Sequence, residues 1–134
     1  MISIDEFSAQ GGSQPKDDEP RAHASGGKNT VTYENFKQLD LRVGKILLAE
    51  RIAGSEKLLK LSINLGKETR QIIAGIGTHY EPDTLIDREV LIIVNLEPRM
   101  LMGLESQGML LAANADGPVL LVPEKEVPPG TTIR

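Results

Sequence analysis

The side chains able to take part in chemistry are few in this 134-residue chain, and they do not converge. No cysteine is present, which removes thiol catalysis, thiolate metal sites and disulfides together. Of the two histidines, His23 lies in a Gly/Ser-rich stretch, and His79 stands beside Tyr80 in a loop, where solvation or a local hydrogen bond is the ordinary state. Asp83 and Asp87 have i,i+4 spacing but lack a histidine or third carboxylate, so they read as solvated charge. Gly75-Ile76-Gly77 has neither the Lys-Ser/Thr of a phosphate loop nor the third glycine of a dinucleotide fingerprint. What remains is the stretch from Asn95 to Met109, polar and punctuated by Pro98, Gly103 and Gly108. It begins where the apolar run Val90 to Val94 ends, and it re-enters a second apolar run at Leu110. A loop so placed is either a binding surface or a connection with ordinary turn chemistry. No catalytic residue, metal or cofactor is expected, and a binding module is.

One domain fits this length, and 40% hydrophobic content is enough for a core. No run approaches 18 apolar residues, and Asp5 and Glu6 stand where a signal peptide would be basic. A soluble, cytoplasmic protein without a membrane partner is the expectation. The net charge of −4 argues against nucleic acid only until its distribution is counted. Residues 37–70 hold eight Lys/Arg against four Asp/Glu, whereas residues 71–134 hold four against nine. The basic half is a compact segment that could form one face or simply be solvated strand surface.

Residues 1–30 are expected to be a flexible segment, low in large apolar residues beyond Phe7 and with Gly11-Gly12-Ser13 and Ser25-Gly26-Gly27 within it. Ile2-Ser3-Ile4-Asp5-Glu6-Phe7 and Val31-Thr32-Tyr33-Glu34-Asn35-Phe36 share one pattern, each a helix start with Ser3 or Thr32 as N-cap and a hydrophobic staple around it. The second copy leads into a domain over residues 31–134. From Leu41 the apolar period becomes two, and Leu41, Val43, Leu47 and Ile52 predict a long first strand bent at Gly44. Leu59 to Leu65 and Thr69 to Ile76 predict a hairpin, Glu81 to Ile86 a short helix, and Arg88 to Asn95, Gln107 to Ala113 and Val119 to Val122 three more strands. Three strands, a short helix and two strands is the order of the five-stranded Greek-key OB barrel, here with an N-terminal helical turn and a C-terminal extension. A small sandwich is the competing arrangement.

An OB barrel that binds single strands stacks bases on strand aromatics. The only aromatics here are Phe7, Tyr33, Phe36 and Tyr80, none in a predicted strand, so any nucleic-acid partner is a folded, phosphate-rich shape. Leu39-Asp40-Leu41-Arg42-Val43-Gly44-Lys45-Ile46, Lys57-Leu58, Arg70-Gln71-Ile72-Ile73-Ala74-Gly75-Ile76, Asn95-Leu96 through Pro98-Arg99, and Gly103-Leu104-Glu105-Ser106-Gln107-Gly108-Met109-Leu110-Leu111-Ala112 resemble the tRNA-binding domain of methionyl-tRNA synthetase, found at its C-terminus or as a separate beta subunit. The resemblance spans about residues 31–134.

The resemblance implies an OB fold without catalysis, homodimerisation, and sequence-independent binding to the outer corner of tRNA beside the catalytic part of methionyl-tRNA synthetase. It points to Arg42, Lys45, Lys57, Asn95, Arg99, Ser106, Gln107 and Met109 as tRNA-binding. Two departures accompany it. Ile52-Ala53-Gly54-Ser55-Glu56 replaces a His-Pro and acidic motif, and Met100 stands where a lysine is common. Each loses a contact, so modest affinity is expected. The apolar Met100-Leu101-Met102 run and the negative net charge motivate a second expectation, a protein-interaction or chaperone-like peptide-binding module.

Overall fold

From Leu41 the alternation of apolar and polar residues is realised as strands, and the longest of them organises the rest. The computed structural model describes residues 29–134, and the expectations for residues 1–28, including the Ile2–Phe7 helix start, lie outside them. Leu39–Ile133 form one compact unit, and the described residues up to Gln38 belong to another. In the latter, Thr32 is the N-cap of helix α1 (Tyr33–Lys37), its hydroxyl accepting from Asn35 N at 3.0 Å. The cap is as expected, while Val31 of the staple is left exposed.

In the larger unit, β1 (Leu41–Arg51) pairs through its first half with β4 (Glu89–Ile93) and through its second half with β2 (Leu59–Asn64). β3 (Thr69–Ala74) continues beyond β2, and a 3-10 turn (Pro82–Leu85) precedes β4. The expected site loop contains a hairpin, β5 (Arg99–Leu101) and β6 (Leu104–Ser106). The expected fifth strand divides into β7 (Met109–Leu110), paired with β4, and β8 (Ala112–Ala115), paired with β9 (Gly117–Leu120). β10 (Thr132–Ile133) returns to the start of β1. The strand order β3-β2-β1-β4-β7 curls into a nearly closed barrel with very little helix, the OB architecture.

β1 must bend to serve two partners. Its register shifts between Ile46 and Leu48, so the bulge falls there and not at Gly44. Gly44 has another reason to lack a side chain: a Cβ on it would sit 2.5 Å from Ile63 Cγ2 and 3.0 Å from Ile92 Cδ1. The strands cross over the core at Gly44, and that close approach is what the glycine permits. Ile46, Leu59, Leu61, Ile63, Ile72 and Ile92 fill the interior, each fully buried. Burial of a side chain of this size contributes about 1.5–3 kcal/mol, and the equally buried Leu85 and Val90 add to the same core.

The C-terminal segment lies on its own barrel. Gly130 N donates to Val43 O at 2.7 Å, Val43 N to Thr131 O at 2.9 Å, and Val127 N to Glu89 Oε1 at 3.1 Å. The expected extension is therefore a strap along the edge of β1 that also reaches Glu89 of β4, and Val119, Leu121 and Val122, just ahead of it in the chain, are exposed.

Candidate nucleic-acid interface

The hairpin β5–β6 turns at Met102-Gly103, with φ of 51° and 78°. Both positive values belong to a two-residue primed turn, in which Gly103 is at ease and Met102 is strained. The turn sends Met100 and Met102 into solvent, and the tip reaches toward the β1–β2 loop, Met102 Cε lying 3.5 Å from where a Cβ on Gly54 would be.

The hairpin is fixed to the barrel through β6 and the residue after it. Ser106 is 5% exposed, and its hydroxyl accepts from Ile73 N at 2.9 Å while donating to Gly108 O at 3.2 Å. Gln107 N donates to Gln71 O at 2.8 Å, and Gln107 Oε1 accepts from Gln71 N at 3.2 Å. Gln71 Nε2 donates in return to Glu105 O at 2.9 Å. These bonds close the barrel between β3 and the segment leading to β7. Ser106 and Gln107 thus act as a seam that sets the height of the hairpin above β3, with their polar groups turned to the protein.

Arg70, not singled out from the sequence, completes the seam. Its guanidinium donates to Val94 O and, at 3.4 Å, to Gln107 O, with Glu68 Oε2 at 3.2 Å. Its signal was its parity: Arg70 shares the inward side of β3 with Ile72 and Ala74, and a charged residue there must reach the barrel end to find carbonyls. Asn95 likewise serves the fold, its Oδ1 accepting from Asp40 N at 2.8 Å.

The expected cations divide into two groups. Arg42 donates to Asp40 Oδ1 at 2.9 Å and Gly130 O at 3.3 Å, and Lys45 Nζ lies 3.5 Å from Glu126 Oε2 on the strap. Lys57 and Arg99 make no side-chain hydrogen bond or ion pair among the described residues. The Lys57 stem lies across Gly75, where a Cβ would meet its Cε at 3.2 Å. Arg99 stands opposite Ser106 in the hairpin. The two therefore flank the C-terminal end of β3. Between the hairpin and β3 lies a cleft of about 560 Å³ that brings together Asn95, Arg99, Ser106 and Met109 with Ile73 and Leu101. The structure gathers these four expected residues around one concavity and places Arg42 and Lys45 on the strapped face.

No cluster of metal-ligating side chains occurs among the described residues, and no helix among them is long and apolar enough to cross a membrane. His79 Nδ1 is 3.0 Å from Thr78 Oγ1, a local bond. Tyr80 donates to Pro118 O at 3.2 Å and accepts from Leu120 N at 3.3 Å, so its ring belongs to the fold.

Residues 41–132 match a family described as putative tRNA binding domain. A methionine–tRNA ligase of Methanothrix thermoacetophila is 54% identical over 108 residues, which cover 80% of this chain and 16% of the ligase. That of Archaeoglobus fulgidus is 49% identical over 107 residues, again 16% of its length. The chain therefore spans about one-sixth of these relatives. Among solved structures, a protein from Pyrococcus horikoshii described as related to the methionyl enzyme superposes with a TM-score of 0.76 at 34% identity, covering 80% of this chain and 100% of that one. The chaperone CsaA of Bacillus anthracis superposes with a TM-score of 0.73 at 32% identity, covering 79% and 100%.

Proposed function

We propose, from the premise that this chain belongs to the putative tRNA-binding domain family, that its hairpin face holds folded tRNA through phosphate and sugar contacts and performs no catalysis of its own. The observation that carries this reading is the pair Lys57 and Arg99, two cations without an intramolecular partner among the described residues, Arg99 lining the cleft beside β3 and Lys57 lying over Gly75 just past the end of that strand. Cations of this kind neutralise phosphates and position the nucleic acid without reading its sequence. The strands among the described residues offer no aromatic ring for stacking, which favours a folded shape, such as the outer corner of tRNA, over an extended single strand. Ser106, Gln107 and Asn95 contribute by holding the hairpin in place, and Met109 by an apolar contact.

In this reading the domain acts in the cytoplasm beside the catalytic part of a methionyl-tRNA synthetase, raising the local concentration of tRNA there. It also forms a homodimer through the exposed Val119, Leu121 and Val122 beside the strap. A monomer in sedimentation equilibrium at micromolar concentration would remove the dimer from the proposal.

The test is a salt titration of binding to folded tRNA. Affinity is expected to fall steeply with salt, and Lys57→Ala with Arg99→Ala to flatten the log–log slope by about 2 and weaken every tRNA alike. Tight binding indifferent to salt, or loss confined to one tRNA, would contradict it. A second reading, a chaperone-like peptide-binding module, is favoured by the exposed Met100 and Met102 at the hairpin tip and by the CsaA likeness. It predicts instead that unfolded peptide is captured and that Met100→Ser with Met102→Ser abolishes the capture while leaving tRNA binding intact.

A further inference from the structure

Ile73 is 7% exposed, yet it stands outside the cluster of buried residues that fills the barrel. Successive side chains of a strand point to opposite faces, so with Ile72 inside, Ile73 points outward. There it forms the floor of the cleft beneath the hairpin, with Leu96, Pro98, Leu101 and Met109 as apolar walls. Arg99 and Glu97 line the same cleft, and no ion pair joins Arg99 to a carboxylate among the described residues. Ser106 also lines it, but its hydroxyl already accepts from Ile73 N and donates to Gly108 O.

A nucleotide is a ring with apolar faces attached to an anion, and this cleft sets apolar walls beside an unpaired cation. Resting on the tRNA reading above, we infer that the cleft receives one unstacked base of the bound tRNA, with Arg99 meeting the adjacent phosphate. Aliphatic and thioether side chains replace the aromatic platforms of other barrels, and Met109, 44% exposed, supplies an adaptable wall. Ser106 already gives its only hydroxyl proton to Gly108 O and has no donor left for a base edge, so the slot discriminates weakly among the four bases. An apolar peptide side chain would fill the same walls but leave Arg99 without an anion.

The experiment titrates the full chain with folded tRNA transcripts in which unpaired loop nucleotides are replaced, one at a time, by an abasic residue. One replacement is expected to weaken binding about tenfold, whereas any base restored there binds within about twofold. Met109→Ala should weaken intact tRNA by a similar factor and leave that abasic tRNA unaffected, since both remove one contact. Leu96→Ala, a second exposed wall residue, should behave the same way. Salt-dependent binding indifferent to every abasic site would overturn the slot and leave the tRNA reading standing. No binding of intact tRNA would overturn both. Capture of an apolar peptide, abolished by Met109→Ala with tRNA binding unchanged, would assign the cleft to peptide and overturn the slot.

Discussion

Along the part of β1 that the C-terminal strap borders, each cation proposed for binding ends on an acceptor of its own chain: Lys45 on Glu126, and Arg42 on Asp40 and Gly130 O. On the hairpin face, Lys57 and Arg99 are exposed, and neither is paired with a carboxylate among the described residues. The two faces carry the same residue types and differ in what the chain has already placed opposite them. A basic count by segment therefore overstates the binding surface, because the strap sequesters part of it. Exposed ion pairs contribute only about 0–1 kcal/mol, so Glu126 of the strap and Asp40 ahead of β1 matter more as competitors for phosphate than as stabilisers.

The largest effect is expected at the strap. Gly130 has φ of 90°, and a Cβ there would lie 2.2 Å from Leu65 O. Gly130→Ala should lower stability by about 2–4 kcal/mol, read as a fall in the denaturation midpoint, through backbone strain and a clash that only displacement of the strap relieves. Affinity for tRNA per folded molecule should be unchanged, and a matching loss of affinity would mean the faces are not independent. The seam comes next. Ser106→Ala leaves the buried amide of Ile73 without its acceptor, costing about 1–3 kcal/mol by urea titration, and should weaken tRNA binding as the hairpin loosens. Stability lost with affinity intact would separate the hairpin from the binding face. The smallest effect is expected at Glu126: Glu126→Gln frees Lys45 and should raise affinity about twofold at low salt, a gain that disappears as salt screens it. No gain at any salt would show that Lys45 lies outside the reach of the RNA.

Much of the barrel was legible because strands announce themselves by alternation. Leu59, Leu61 and Ile63 are all buried, with Lys60 and Ser62 between them half-buried, and β2 begins where the pattern does. Gly44 was legible as a special position but not as to why, since a bulge and a close approach ask for the same residue. The hairpin inside the site loop was missed for a definite reason. Primed two-residue turns are usually marked by Asn-Gly or Asp-Gly, and here Met102 occupies the first position at a cost in strain. For the site, residue types pointed to the right loop and not to the division of labour within it. Whether a serine or glutamine faces solvent or a strand amide depends on contacts far apart in sequence, which no local pattern records.

The seam closes through Gln71 and Gln107, 36 residues apart, largely by side chains and one backbone bond where the other strands have ladders. Contacts of such separation form late, after the loop between them has been closed, and a junction with few bonds opens before the rest of the barrel does. The cleft exists only once that junction is made. Ligand capture and the final step of folding thus draw on the same few bonds, and whatever occupies the cleft also latches the barrel shut.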